Sequence, residues 1–333
     1  MGAFVEKIQF LGVKAIKAGN EFLEFIVVPE WGSNLISLVD QATETELLRV
    51  PATLEEYLKV PMLYGTPILF PPNRIENGSF TYEGKSYQFD INEVDKQNHS
   101  HGFVHDKQWK LLKAEVCGGN VEIVTEFDSS HFPNVMRQFP HHFILRVSYL
   151  LRDHVLTTHA EVKNQSDSRM PLGFGYHTTF LFPQESAFLY LQADKRWVLN
   201  ERMLPIGDFD EPAVIGKLSK GTDLKDEILD DVFLAAPKEE GGHEVKISYP
   251  SEGLDVIYQT DESFKHWVVF NMDGEHGFIC PEPYTWVTNA PNIKLSPSIT
   301  GLVGLESGET KTVSTRISVF HNRDSINDSF EKR

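Results

Sequence analysis

One guanidinium, three imidazoles and one carboxylate stand out along this chain, each inside a segment rich in Pro, Gly or Asn. They are Arg74 in Pro71-Pro72-Asn73-Arg74-Ile75, His99 and His101 in His99-Ser100-His101-Gly102-Phe103, His177 in Gly175-Tyr176-His177, and Glu282 in Pro281-Glu282-Pro283. A metal finger or a phosphate loop keeps its reactive groups close in sequence. Here they are dispersed, so folding must gather them, as it does in sites for small, hydroxyl-rich molecules.

Each group has a chemical reading and a plainer one. Arg74 follows two prolines, which leave the backbone little freedom, and the apolar run Pro67-Ile68-Leu69-Phe70. On so stiff a loop a guanidinium offers a fixed fork of donors to neighbouring hydroxyls or a carboxylate; the plainer reading is a structural ion pair. Glu282 lies between prolines after the apolar Phe278-Ile279-Cys280. Partial desolvation there raises a carboxyl toward the pKa of a useful base, against the alternative of an ordinary strand-end acid. His177 follows Gly173-Phe174-Gly175-Tyr176, where glycine allows close approach to a ligand and the aromatics offer flat apolar faces. Its alternative is a satisfied core histidine. His99-Ser100-His101, with Asp106 beyond, is similar to the ligand run of a cupin metal site, and imidazole suits Zn, Fe or Ni. No second cluster of matching spacing accompanies it. The expectation is therefore no metal and one histidine used for hydrogen bonding.

The elements that must position these groups are mostly strands. Residues 22–28, 121–127, 143–151, 155–162, 245–249, 254–258, 267–272 and 312–320 are rich in β-branched and aromatic side chains. In the second of these, Val121, Ile123, Thr125 and Phe127 share one face, and Glu122, Val124 and Glu126 the other, the period of a half-buried strand. Glu83-Gly84-Lys85 reads as the turn of a hairpin between residues 80–82 and 87–89. Helix is scarce: a capping box, Thr53 with Glu56, starts a short helix that Pro61 stops, and a second is expected near residues 223–229. Strands without intervening helices imply a large antiparallel β-sandwich, all-β in class. The expected organisation is one domain over residues 1–320 and a polar tail over 321–333.

Composition narrows the partners. A formal net charge of −17 would repel phosphate, which argues against nucleic acid and disfavours anionic membranes. Two distant cysteines, Cys117 and Cys280, read as reduced thiols rather than a disulfide framework. The first residues meet Glu6 and Lys7 too soon for a signal peptide, and no apolar run reaches the length of a membrane span. A cytoplasmic protein is expected.

In order and spacing, these segments resemble the aldose 1-epimerase (galactose mutarotase) family. The likeness runs from Trp31-Gly32 through Asn73-Arg74-Ile75, His101-Gly102-Phe103 and Tyr176-His177 to Leu229-Asp230-Asp231-Val232-Phe233, Glu282-Pro283 and Asn289-Ala290-Pro291-Asn292. The family's fold is a large antiparallel β-sandwich. The resemblance implies Glu282 as catalytic base and His177 as catalytic acid. It implies Arg74, His101, Asp230 and the adjoining Asn73 as ligands for sugar hydroxyls, with no cofactor. The expected partner is a small-molecule sugar, bound by a monomer or homodimer. Two departures bear on substrate choice. His177-Thr178-Thr179-Phe180 replaces the family's His-Pro-Tyr-Phe, and the pair Asp230-Asp231 leaves a one-residue choice, made here for Asp230, three residues before Phe233.

Opening a cyclic hemiacetal needs a base for the anomeric hydroxyl and an acid for the ring oxygen, and a carboxylate and an imidazolium on different sides of the sugar can do both. Three alternatives compete. A hexose-6-phosphate 1-epimerase would gather basic residues at the pocket mouth, with Lys195, Arg196 and Lys265 as candidates. A sugar-binding protein without catalysis would not require Glu282 and His177 together. A cupin-like metalloenzyme would bind stoichiometric metal.

Overall fold

The computed structural model describes residues 2–236 and 241–321. Each stretch read as extended from its side chains contains a strand, although the one expected over 267–272 ends at Phe270, before the left-handed Met272 (φ 59°), and the strands assemble into two large sheets. The first has eight strands in the order Lys110–Cys117, Asn120–Asp128, Phe143–Arg152, Val155–Asn164, Thr310–His321, Leu254–Thr260, His243–Tyr249 and Phe188–Leu191. The second runs Pro205–Asp210, Ala193–Leu199, Asp230–Ala235, His266–Phe270, Phe278–Tyr284, Gly175–Tyr176 and Ile68–Leu69, with Phe180–Leu181 also on Phe278–Tyr284. A five-stranded sheet, Phe4–Phe10 through Thr45–Glu46, precedes them in the chain. Ladders throughout both large sheets are antiparallel. The architecture is the expected all-β sandwich.

Period-two alternation buries one face of each strand, and the inner faces meet. Tyr258 of the first sheet meets Trp267 of the second edge-on, ring centres 5.6 Å apart. Phe143 packs on Phe70 at 4.7 Å. Both tryptophans of this layer, Trp197 and Trp267, are fully buried in one continuous core. Each large side chain so buried contributes about 1.5–3 kcal/mol, which holds the second sheet firmly from behind.

Local chemistry accounts for the shorter elements. The hairpin pairs Ser79–Tyr82 with Lys85–Gln88. Its turn is the two residues Glu83 (φ 48°) and Gly84 (φ 79°), so Lys85 belongs to the strand and Phe89 lies beyond it. Thr53 caps the helix Leu54–Lys59 by accepting from the Glu56 N–H at 3.1 Å, while Glu56 accepts from the Ala52 N–H at 3.0 Å. The second expected helix is absent. Residues 223–229 are irregular because Leu224 (φ 58°) and Asp226 (φ 62°) are left-handed and the Asp223 side chain accepts the Lys225 N–H. The helix lies earlier, at Ala213–Lys220. His321 closes the final strand opposite Leu254, so it is not part of a polar tail, and residues 322–333 lie outside those described. Both cysteines are free, Cys117 exposed and Cys280 buried. Among the described residues no helix is long and apolar enough to cross a membrane.

Candidate active site

One face of the second sheet looks into a cavity of about 200 Å³ lined by Met62, Leu63, Asn73, Arg74, His101, His177, Asp230, Val268, Phe270 and Glu282. Every residue placed at a site from the sequence is among them. Register explains the meeting: Asp230 lies opposite Phe270, Phe270 opposite Cys280, and Val268 opposite Glu282, so these side chains share one face. Gly175–Tyr176 is the next strand, and His177 leaves its end with its N–H donated to the Pro67 carbonyl at 3.0 Å. From across the cavity come Arg74, which opens the strand Arg74–Glu76, and His101, which follows its partner Asn98–Ser100. Arg74 is thus strand-borne rather than on a loop. Left-handed residues re-aim the chain here: Asn73 at φ 55°, His101 at φ 64° and Gly102 at φ 67°. A Cβ on Gly102 would stand 2.2 Å from the Phe70 carbonyl oxygen, so only glycine fits. Asn289 anchors the Arg74 strand: its Oδ1 accepts the Glu76 N–H at 3.0 Å and its N–H goes to the Arg74 carbonyl at 2.9 Å.

Glu282 and His177 form the floor. They are 2% and 5% exposed, with His177 Nε2 3.2 Å from Glu282 Oε1. The other carboxylate oxygen, Oε2, accepts from the Tyr284 hydroxyl. Burial pushes the Glu282 pKa well above the ordinary carboxylate range, outweighing the Tyr284 hydrogen bond and the Arg74 charge. Burial pushes His177 down to about 3, and the charges of His105 and Arg74 act in the same direction. The pair therefore favours holding one proton between its members and carrying no net charge. The ring of His101 stands 5.5 Å from that of His177 at 74°. Burial, then the neighbouring His177 and Arg74, hold it neutral. Nδ1 of both rings has no protein hydrogen-bond partner among the described residues.

The rim is charged and better solvated. Arg74 Nε lies 3.0 Å from both Glu93 oxygens, and its Nη2 is 3.9 Å from Asp230 Oδ2. Glu93 is itself held by Asn98 Nδ2 at 2.8 Å and Lys96 Nζ at 3.4 Å. Both readings of Arg74 hold at once, since it is ion-paired and lines the cavity. Strand alternation separates the two aspartates. Asp230 faces the cavity, whereas Asp231 turns to Arg196 Nη1 at 3.2 Å. Asn73 lines the cavity while its Oδ1 accepts the Arg74 N–H at 2.8 Å and its Nδ2 donates to the Tyr284 hydroxyl at 3.3 Å.

Several readings change. Gly173 and Gly175 do not bring backbone to a ligand. A Cβ on Gly173 would stand 2.2 Å from the Trp286 ring, and one on Gly175 2.4 Å from the Tyr284 ring. Phe174 and Tyr176 are core side chains, and Phe270 is the aromatic that lines the cavity. The hydroxyls of Thr178 and Thr179, where the family pattern breaks, turn to Tyr258 (3.1 Å) and to Cys280 Sγ (3.3 Å). His99 parts from His101: its Nδ1 lies 2.7 Å from the Asp90 carbonyl and its ring packs on Phe89 and Phe103. The cupin-like run is not assembled. Among the described residues the donors close enough to share a metal are those of His177, Cys280 and Glu282, within 4.8 Å of one another. His177 Nδ1 lacks the acceptor that normally orients a metal-bound imidazole, so an acid–base pair fits this set better. Glu93 carried no sequence signal because its partner Arg74 is remote in the chain, and Tyr284, although two residues from Glu282 and on its face of the strand, reads in the sequence as one more aromatic of the apolar strand.

Relatives share this framework. The aldose 1-epimerase family model matches residues 15–318. A galactose mutarotase-like protein from Clostridium acetobutylicum superposes with a TM-score of 0.91 at 26% identity, covering 96% of this chain and 99% of that one. The galactose 1-epimerase of Lactobacillus acidophilus NCFM shares the fold, with a TM-score of 0.77 at 16% identity over 96% and 99% of the two chains. The uncharacterized protein YphB of Escherichia coli K12 is 24% identical over 255 residues, 74% of this chain and 80% of that protein. The uncharacterized YihR of the same organism is 26% identical over 196 residues, 57% of this chain and little more than half, 58%, of its own length. A match that begins in the N-terminal sheet and ends in the last strand takes in both large sheets and every residue of the cavity, and the chain belongs to the aldose 1-epimerase family.

Proposed function

We propose that this protein is a mutarotase that interconverts the α and β anomers of free aldoses, with Glu282 as base and His177 as acid. The observation that carries the reading is the buried contact of a carboxylate and an imidazole, 3.2 Å apart, on the floor of a cavity ringed by hydroxyl-binding groups. At about 200 Å³ the cavity is smaller than drug-sized pockets, which favours one monosaccharide over a longer chain.

The anomeric hydroxyl oxygen and the ring oxygen are bonded to the same carbon, so one hemiacetal can face both members of a touching pair. Glu282 takes the proton of the anomeric hydroxyl as the bond from C1 to the ring oxygen breaks. That bond's electrons pass to the ring oxygen, which takes a proton from His177, leaving an open-chain aldehyde. Rotation about C1–C2 presents the other carbonyl face. His177 then recovers its proton as the ring oxygen attacks C1, and Glu282 returns its proton to the carbonyl oxygen. The cycle balances without a redox partner. The active arrangement, ionised Glu282 with protonated His177, contains the same number of protons as the neutral pair that burial favours, so reaching it needs only a shift within the contact. Arg74, Asp230, His101 and Asn73 read the remaining hydroxyls through directional, charge-assisted hydrogen bonds.

Free sugars are favoured over phosphorylated ones because Arg74 is the only lysine or arginine among the lining residues. Arg196 is tied to Asp210 at 2.7 Å and Asp231 at 3.2 Å, Lys265 donates to the Ser298 carbonyl at 3.1 Å, and Lys195 lies over the Phe209 ring. Saturation-transfer NMR of anomeric exchange across free and phosphorylated sugars tests the proposal. Enhanced exchange of free aldoses is expected. Enhancement confined to phosphorylated sugars would move the substrate assignment, and no enhancement with any sugar would overturn the activity.

A further inference from the structure

We propose that Tyr284 is the positioning residue of the base: its hydroxyl fixes the plane of the Glu282 carboxylate, favours its charged form against the effect of burial, and ties it through Asn73 to the sugar-reading segment. The inference rests on Glu282 serving as base. Tyr284 is fully buried and does not line the cavity, so it acts through the cavity residues that its hydroxyl touches, Glu282 and Asn73. Cys280, Glu282 and Tyr284 alternate along one strand and share a face. The phenol donates to Glu282 Oε2, which leaves Oε1 for the His177 contact at 3.2 Å, and it accepts from Asn73 Nδ2 at 3.3 Å. One hydroxyl thus fixes the plane of the carboxylate and joins it to the residue before Arg74.

The chain makes room for this ring. Gly175 is registered opposite Tyr284, and any Cβ there would stand 2.4 Å from it. The phenol remains a donor, since burial and the Glu282 charge hold its own pKa well above the usual range. The other titratable groups facing Glu282 are His177, Cys280 on its own strand, and His101, Asp230 and Arg74 across the cavity, while Val268 and Phe270 beside it are neutral. None of these changes when the Tyr284 hydroxyl is removed, so a shift in Glu282 titration reports the phenol itself.

Tyr284→Phe keeps the ring and deletes the donor. The expected result is a rate about tenfold lower, the scale of a lost hydrogen bond to a charged group, and an alkaline limb of the pH–rate profile about one pH unit higher. Affinity for a methyl glycoside should stay near that of the unmodified protein. An infrared pH titration of the Glu282 carboxyl, identified by its loss in Glu282→Gln, reads the same shift without any turnover, so it remains informative even where the mutarotase reading fails. A variant with reduced thermal stability but an unmoved limb and an unmoved carboxyl titration would make Tyr284 a packing residue and overturn the proposal. So would an unchanged rate and profile in a protein that does catalyse anomeric exchange.

Discussion

The floor and the rim of the cavity are built on opposite principles. On the floor, Glu282 and His177 are nearly dry, touch each other, and have few other partners. At the rim, Arg74 and Asp230 are partly solvated, and Arg74 is locked by Glu93, which is locked in turn by Asn98 and Lys96. Burial without compensation leaves protons mobile between two groups of opposed pKa shift, which suits bond making and breaking. Saturated ion pairing leaves charge and geometry fixed, which suits reading an array of hydroxyls. Under the proposed function, the difference puts the chemistry in one region and recognition in the other.

That division can be broken most forcefully at the floor. Glu282→Gln keeps size and hydrogen-bonding capacity but cannot take a proton, so polarimetric mutarotation should fall by roughly 10²-fold or more. A rate near that of the unmodified protein would remove Glu282 as base. At the rim, Arg74→Lys keeps the charge and loses the fork, and kcat/KM should fall by roughly tenfold to thirtyfold, chiefly through KM, with the fold intact. An unchanged kcat/KM would leave Arg74 as a structural ion-pair residue only. Glu93→Gln loosens Arg74 without touching the cavity, and a loss of roughly threefold to fivefold in kcat/KM is expected. A larger loss than that of Arg74→Lys would show Glu93 to have a role of its own.

The pH profile sharpens the comparison further. Because His177 is pushed down to about 3 and Glu282 is pushed up, the pair takes its second proton only in strong acid and loses its shared one only above the ordinary carboxylate range. Activity should therefore form a plateau that begins in strong acid and extends above the ordinary carboxylate range, falling in acid as His177 and Glu282 both hold protons and at higher pH as the shared proton leaves. Limbs at the unshifted carboxylate and imidazole values would mean that the floor is wet and its two groups independent.

Much of this was legible in the chain. Alternation such as Val121, Ile123, Thr125 and Phe127 marked strands because burial on one face imposes a period of two. The residues of the cavity were legible because their segments keep a family's order, though not their roles in packing. Gly173 and Gly175 illustrate the limit, since a glycine that admits a ligand and one that admits a tryptophan or tyrosine ring from the next strand look alike until the register is known. The helix expected at residues 223–229 failed for a local reason: Asp223 bonds the backbone in a way that competes with helix. Glu93 stayed hidden because an ion pair that orients another residue leaves no periodic trace, and Tyr284 because period two puts it on the Glu282 face without showing that its hydroxyl bonds the carboxylate.

The central claim, chemistry on the floor and recognition at the rim, meets its most direct test in calorimetric binding of a methyl glycoside, which cannot open its ring, to Glu282→Gln and Arg74→Lys side by side. The account predicts a Kd for Glu282→Gln within about threefold of the unmodified protein and a Kd for Arg74→Lys weaker by roughly tenfold or more. The reverse pattern, with Glu282→Gln losing the glycoside and Arg74→Lys keeping it, would contradict the account and make Glu282 a sugar ligand.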